Sequence, residues 1–223
     1  MITSNIEFLK KEIVEYAKEA QHIGLCQHRA GNFSARDKET GYIVMTPSAV
    51  NRTELTTRDI LVMDIDGNII ENEGNQKASS ESMMHLKAYQ ERSDVMAVVH
   101  THSMYATSFA ITKKPIPAIV FEINTLGLKK GYIPVADYGR PGTVDLANSI
   151  IEPLKISDAI LLEHHGVITV DSTNIYEAFL KAIYVEDVAQ LYFNSLVINQ
   201  GKEPNAFKVE ELTAWEYPKN FKV

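Results

Sequence analysis

A chain of 223 residues, 45% hydrophobic and 23% charged, is long enough to bury one large core or two small ones and has none of the composition of a disordered segment. Its net charge of −7, with no Lys/Arg cluster, excludes the basic footprint of a nucleic-acid binder. The single cysteine, Cys26, excludes an intramolecular disulfide framework and fits a reducing compartment; residues 1–18 lack a signal-peptide apolar core, and no apolar run reaches the roughly 20 residues of a membrane span, so a cytoplasmic protein with no membrane partner is expected.

The chain reads as one α/β unit, residues 1–223, without a linker. Ile6, Leu9, Ile13, Tyr16, Ala17 and Ala20 recur at helical spacing and predict an amphipathic helix ending near Gly24. Residues 31–36 and 42–46 read as short strands around a turn-rich stretch, and 60–65 and 68–71 as a hairpin about Asp66-Gly67. Met83, Met84, Leu86 and Tyr89 predict a helix over 81–92, followed by a β-branched strand over 96–102 and a helix over 103–112 that Pro115 and Pro117 end. Val144, Ala147, Ile150, Ile151 and Leu154 predict one further helix, 159–162 and 167–170 two apolar strands, and 175–196 a long last helix; the tail, 201–223, reads as irregular. There is no internal repeat and no low-complexity segment.

Chemistry concentrates in a few short segments. Side chains alternate along a strand, so His100 and His102 leave the same face and can chelate one ion. Such a pair also suits two half-buried polar residues with backbone partners, and it gains weight only with Glu81 upstream and His164-His165-Gly166 downstream, because metal ligands come from separate elements that converge. Alternation allows one of His164 and His165 to face the site. Ser79-Ser80-Glu81 fits a helix N-cap with an acid complementing the dipole, and fits equally a phosphate site of free N–H groups and hydroxyls. Gly31-Asn32-Phe33-Ser34 and Thr46-Pro47-Ser48-Ala49 are turn-like, yet carry the small residues and neutral donors of an anion pocket.

Taken in order, these segments, with Ile116-Pro117-Ala118-Ile119 between them, resemble the class II sugar-phosphate aldolase and adducin family over nearly the whole chain, most closely its fuculose-phosphate aldolases. The resemblance implies an α/β/α sandwich whose central, largely antiparallel sheet is flanked by helices. It implies that Glu81, His100, His102 and His165 hold one divalent cation per subunit, zinc foremost, with manganese or iron as alternatives. His164 falls where relatives often carry Asn or another polar residue. Gly31, Asn32, Ser48, Ala49, Ser79 and Ser80 fall where the family binds the substrate phosphate, and Tyr217 where a C-terminal tyrosine reaches a neighbouring site.

The activity implied is cleavage of a ketose 1-phosphate to dihydroxyacetone phosphate and a short aldehyde through a metal-stabilised enediolate, with Glu81 as general base, in a homotetramer whose sites lie between subunits. Two positions depart from the pattern. Phe121 stands where the fuculose-phosphate aldolases carry a proton-donating tyrosine, which passes that task to Glu122, Tyr217 or a water and keeps 5-deoxyribulose 1-phosphate and methylthioribulose 1-phosphate in view. Ala49 replaces a usual glycine. An epimerase would carry Asp at position 81, and a non-catalytic adducin-like module would not keep four candidate ligands.

Overall fold

The computed structural model describes residues 2–214. Helix α1 (Ser4–His22) begins where the Thr3 hydroxyl accepts from the Ile6 N–H at 3.1 Å, and its buried stripe is the predicted one: Ile6, Leu9, Ile13, Ala17 and Ala20. Burying each large aliphatic side chain of that stripe contributes about 1.5–3 kcal/mol. Strands β1 (Asn32–Arg36), β2 (Ile43–Met45), β3 (Leu61–Met63) and β4 (Ile69–Glu71) form an antiparallel meander, and the Asp64 carboxylate caps the β3–β4 turn through the N–H groups of Asp66 and Asn68. Helix α2 (Ser82–Glu91) leads into β5 (Ala97–Thr101) and helix α3 (Met104–Ile111). Three two-residue strands follow, β6 (Ile116–Pro117), β7 (Tyr132–Ile133) and β8 (Val135–Ala136), with a 3-10 helix, Phe121–Leu126, between the first two. Helices α4 (Val144–Ser149) and α5 (Ile151–Leu154), strands β9 (Ala159–Leu162) and β10 (Gly166–Asp171), and helices α6 (Ile175–Ile198) and α7 (Val209–Thr213) complete the order.

Eight strands make one sheet in the order β4-β3-β2-β1-β5-β10-β9-β8, antiparallel throughout except for the β8–β9 pair, with β6 and β7 paired apart from it. Helices cover both faces. Phe33, Ala35, Ala97 and Val99 pack with α1 and with Phe179 of α6, whereas Met45, Val98, Ile168 and Val170 pack with Met84, Leu146 and Leu154 of α2, α4 and α5. This is the helix-flanked, largely antiparallel sheet expected. Burial on both faces makes the central strands read as apolar runs rather than alternating ones. Among the described residues no helix is long and apolar enough to cross a membrane.

Three local differences from the sequence reading have physical causes. The helix expected across 144–154 breaks at Ile150, because Pro153 has no N–H for the Ser149 carbonyl. Strands β6 to β8 are too short to show any period. The tail is not irregular throughout: α7 forms where Leu212 buries itself against the cluster around Leu126 and Leu128, and one apolar anchor leaves no periodic trace.

Candidate active site

The site lies where the three central strands β1, β5 and β10 meet the start of α2. Backbones approach closely here: a Cβ on Gly31 would stand 2.5 Å from Cys26 Sγ and 2.6 Å from the His100 carbonyl oxygen, and one on Gly166 would collide with the Thr101 carbonyl. Arg52, buried, donates to the carbonyls of Ala30 and Gly31 and so fixes the loop that enters β1.

His100 Nδ1 donates across the sheet to the Val167 carbonyl at 2.7 Å, which leaves Nε2 with a lone pair. That lone pair faces His102 Nε2 at 3.0 Å, just beyond the end of β5. His165, in the β9–β10 turn, brings its ring centroid to 4.7 Å from His100 and 5.1 Å from His102. The adjacent imidazoles are told apart by backbone: His164 has φ +54°, a left-handed conformation that turns its side chain out toward Tyr138, 55% exposed, while that of His165 is 6% exposed. Asn tolerates that backbone region best among non-glycine residues, so the residue the resemblance suggests for this position suits its backbone.

Glu81 is the residue that starts α2, and its carboxylate lies against the cluster, Oε1 at 2.8 Å from His165 Nε2 and Oε2 at 3.3 Å from His100 Nε2. Asn32 Nδ2 donates to the same Oε2 at 2.6 Å. Burial alone would raise the Glu81 carboxyl, but His100, His165 and the Asn32 amide together hold it well below the usual carboxylate range. Burial pushes His100 down to about 3, and burial followed by the neighbouring His165 lowers His102.

Three imidazole nitrogens lie within 4.8 Å of one another, beside one carboxylate. Lone pairs facing at 3.0 Å need a proton or a cation between them, and the lowered His100 and His102 beside an anionic Glu81 are in the protonation states in which such residues bind metal. Among the described residues His165 Nδ1 is buried without a hydrogen-bond partner. The residues therefore fit a divalent cation, and a set of three nitrogens and one oxygen suits zinc, manganese or iron.

An open pocket adjoins this cluster, lined by Gly31, Asn32, Ser48, Ala49, Ser79 and Ser80 together with Glu81, His102 and His165. All six positions expected at a phosphate thus share one wall. The Pro47–Ala78 bridge and the Ser48 N–H to Lys77 carbonyl bond, 2.8 Å, tie the Thr46-Pro47-Ser48 and Ser79-Ser80 loops together. Ser79 is not the helix cap expected; its hydroxyl accepts from the Glu81 N–H at 3.2 Å, one residue earlier. Ala49 holds φ +59°, the conformation for which a glycine is usual.

Arg29 and Pro141 also line the pocket. Sequence reasoning missed both, since an isolated cation before Gly31 carries no motif. Phe121 sits away from this pocket, on the 3-10 helix, with its ring centroid 6.4 Å from that of Phe207. Glu122 lines a separate groove with Val120, Tyr184 and Leu191. Tyr217 lies outside the described residues.

Residues 11–193 match the family described as Class II Aldolase and Adducin N-terminal domain, and the chain belongs to that family, on its aldolase side, whose members are carbon–carbon lyases. It is 35% identical to the 5-deoxy-D-ribulose 1-phosphate aldolase of Bacillus thuringiensis serovar kurstaki, over 86% of this chain and 88% of that one. Against the L-fuculose phosphate aldolase of Escherichia coli K12 the identity is 37%, over 85% of each chain. A solved L-fuculose 1-phosphate aldolase superposes with a TM-score of 0.85 at 34% identity, covering 96% of this chain and 95% of that chain.

Proposed function

We propose that this aldolase cleaves a ketose 1-phosphate into dihydroxyacetone phosphate and a short aldehyde, with Glu81 as the group that moves the carbon-bound proton. The observation that carries the proposal is the placement of the Glu81 carboxylate between the three imidazoles and the small-residue pocket. A divalent cation held by Glu81, His100, His102 and His165, zinc in our reading with manganese or iron as alternatives, supplies Lewis acidity toward the substrate carbonyl and its neighbouring hydroxyl.

The chain's own residues do the rest. Asn32, Ser48, Ser79 and Ser80, with the backbone at Gly31 and Ala49, hold the phosphate and so fix the far end of the substrate, and binding energy there orients the reacting carbons. In the condensation direction the Glu81 carboxylate takes a proton from the hydroxyl-bearing carbon of dihydroxyacetone phosphate. In cleavage it returns that proton to the same carbon after the carbon–carbon bond breaks. No Schiff-base lysine is required.

A second group must take the proton from the hydroxyl that becomes the aldehyde oxygen in cleavage, and return it in condensation. Phe121 and Glu122 lie away from the pocket within one chain, which supports a site completed by a neighbouring copy, in a cytoplasmic homotetramer. There a neighbour's Glu122 or Tyr217, or a water, takes the place of the missing tyrosine. Phe121 and the similarity to a 5-deoxy-D-ribulose 1-phosphate aldolase favour a second substrate, 5-deoxyribulose 1-phosphate, over one fixed choice of fuculose 1-phosphate.

The test offers metal-replete protein fuculose 1-phosphate, rhamnulose 1-phosphate, 5-deoxyribulose 1-phosphate and ribulose 5-phosphate, with dihydroxyacetone phosphate release coupled to NADH oxidation. Release from one or both of the fuculose and 5-deoxyribulose esters is expected. Turnover of ribulose 5-phosphate alone, with no release, would replace the aldolase reading by an epimerase.

A further inference from the structure

Behind Asn32 runs a string of polar side chains that take no part in holding a cation or a phosphate. Asn32 and Ser34 lie two apart on β1 and leave the same face, opposite to Phe33 and Ala35. Glu81, His85 and Tyr89 recur every four residues along α2 and form the stripe that meets them. The contacts are continuous. Asn32 Nδ2 donates to Glu81 Oε2 at 2.6 Å, Asn32 Oδ1 meets His85 Nε2 at 2.6 Å, His85 Nδ1 meets Ser34 Oγ at 2.7 Å, and Ser34 Oγ meets the Tyr89 hydroxyl at 2.8 Å. His85 and Ser34 are fully buried, Tyr89 is 2% exposed and Asn32 5%.

One arrangement of protons satisfies every link. A carboxylate only accepts, so Asn32 must turn its NH2 toward Glu81 and its carbonyl oxygen toward His85. That oxygen only accepts, so His85 carries its proton on Nε2. Burial pushes His85 down to about 4, so the ring is neutral and Nδ1 is left as an acceptor. Ser34 then donates to Nδ1, and Tyr89 donates to Ser34. Every donor in the chain points toward Glu81. At the far end the Arg36 guanidinium lies 4.7 Å from the Tyr89 ring centroid and donates to the Tyr89 carbonyl at 2.7 Å, anchoring the tyrosine.

We propose that His85 is a positioning residue for Glu81: the buried chain from Tyr89 locks the Asn32 amide, so that one of its N–H groups holds the carboxylate toward His100 and His165 while the other serves the phosphate pocket that Asn32 lines. A flipped amide would set oxygen against oxygen at Glu81 and push the carboxylate off the cluster. The phosphate end of the substrate and the proton-transferring carboxylate thereby share one amide, whose orientation is set from behind. A stripe of polar residues that merely fastened α2 to β1 would need no particular direction of its donors. The inference rests on the reading of Glu81 as the proton-transferring group.

Two measurements test it. In 15N-labelled full-length protein, with and without zinc, long-range 1H–15N correlation spectra at neutral pH should show His85 as the neutral tautomer protonated at Nε2; the Nδ1 tautomer or a charged ring would overturn the proposal. This readout does not depend on activity. The second is exchange of the carbon-bound proton of dihydroxyacetone phosphate in D2O. His85→Leu should bind one zinc per chain yet slow exchange by at least about tenfold, the scale of one lost oriented hydrogen bond. His85→Gln, which restores an N–H facing Asn32, should recover most of that loss; equal rates in wild type and His85→Leu, or a loss that Gln leaves unchanged, would overturn it. Should His85→Leu fail to fold, Ser34→Ala carries the test: it removes the donor to Nδ1 and with it the acceptor of the Tyr89 hydroxyl, and it should mix the His85 tautomers and slow exchange, whereas an unchanged spectrum and rate would refute the chain. Wild-type protein with no exchange would sink the reading of Glu81, while the tautomer still decides the proton order.

Discussion

The two ends of β10 hold clusters of ionisable side chains of opposite character. At its end, Lys181 Nζ lies 2.8 Å from Asp171, 2.7 Å from Asp158 and 3.2 Å from the Val170 carbonyl, and Arg92 pairs with Asp158 and Asp94. Cations and anions there answer one another within the protein. At its start, Glu81 meets only the imidazoles of His100 and His165 beside His102, and among the described residues no Lys or Arg pairs with it and His165 Nδ1 has no hydrogen-bond partner. A closed network is complete as folded and serves stability; an open one is complete only with something added. Burial alone does not tell the two apart, but counting donors against acceptors does.

The largest expected effect breaks the open cluster. His102→Ala should lower the rate of dihydroxyacetone phosphate release by about a thousandfold or more, with metal per chain falling alongside, because one of four ligands is gone. Glu81→Gln should retain part of the metal yet lose about a hundredfold or more in exchange of the carbon-bound proton; undiminished exchange would remove Glu81 from that role. In the closed network the damage should move from activity to stability: Lys181→Met leaves the buried Asp171 without its cation, while Asp158 keeps Arg92, and should cost about 3–5 kcal/mol by urea unfolding, with the rate at low temperature retained.

The same variant sharpens the contrast through pH. Burial would raise the Asp171 carboxyl, but the Lys181 hydrogen bond and charge win and lower it from 3.8. A depressed carboxyl contributes stability above its unfolded value, and that contribution is lost as pH falls through the folded value, so wild type should lose thermal stability below about pH 4 more steeply than Lys181→Met. Smallest of all, Ala49→Gly should relieve the left-handed backbone at the pocket rim and raise stability by roughly 0.5–1 kcal/mol, read as a shifted urea midpoint with unchanged slope.

Much of this was open to reading in the sequence, for reasons that particular residues display. The α1 stripe and the helix-flanked strands follow from period, and His100 and His102 meet because period two carries one residue past the end of β5. Alternation alone left His164 and His165 undecided, and only the family resemblance chose His165, because the choice depends on a left-handed residue in the turn, where alternation stops. The spacing of Glu81, His85 and Tyr89 is visible, but an i, i+4 polar stripe gains meaning only once Asn32 and Ser34 are known to face it across the β1–α2 contact. Pairing between segments some fifty residues apart is a tertiary fact that no local pattern encodes. Arg29 and Arg52 illustrate the same limit, each being an isolated cation whose place in the pocket or its supporting loop comes from packing.

The most direct test of the account strips the protein with chelator and titrates zinc back, recording bound metal per chain and dihydroxyacetone phosphate release together. Release should vanish on stripping and return in proportion to metal, reaching its limit at one ion per chain. Full release from metal-free protein would contradict the open cluster as the catalytic centre.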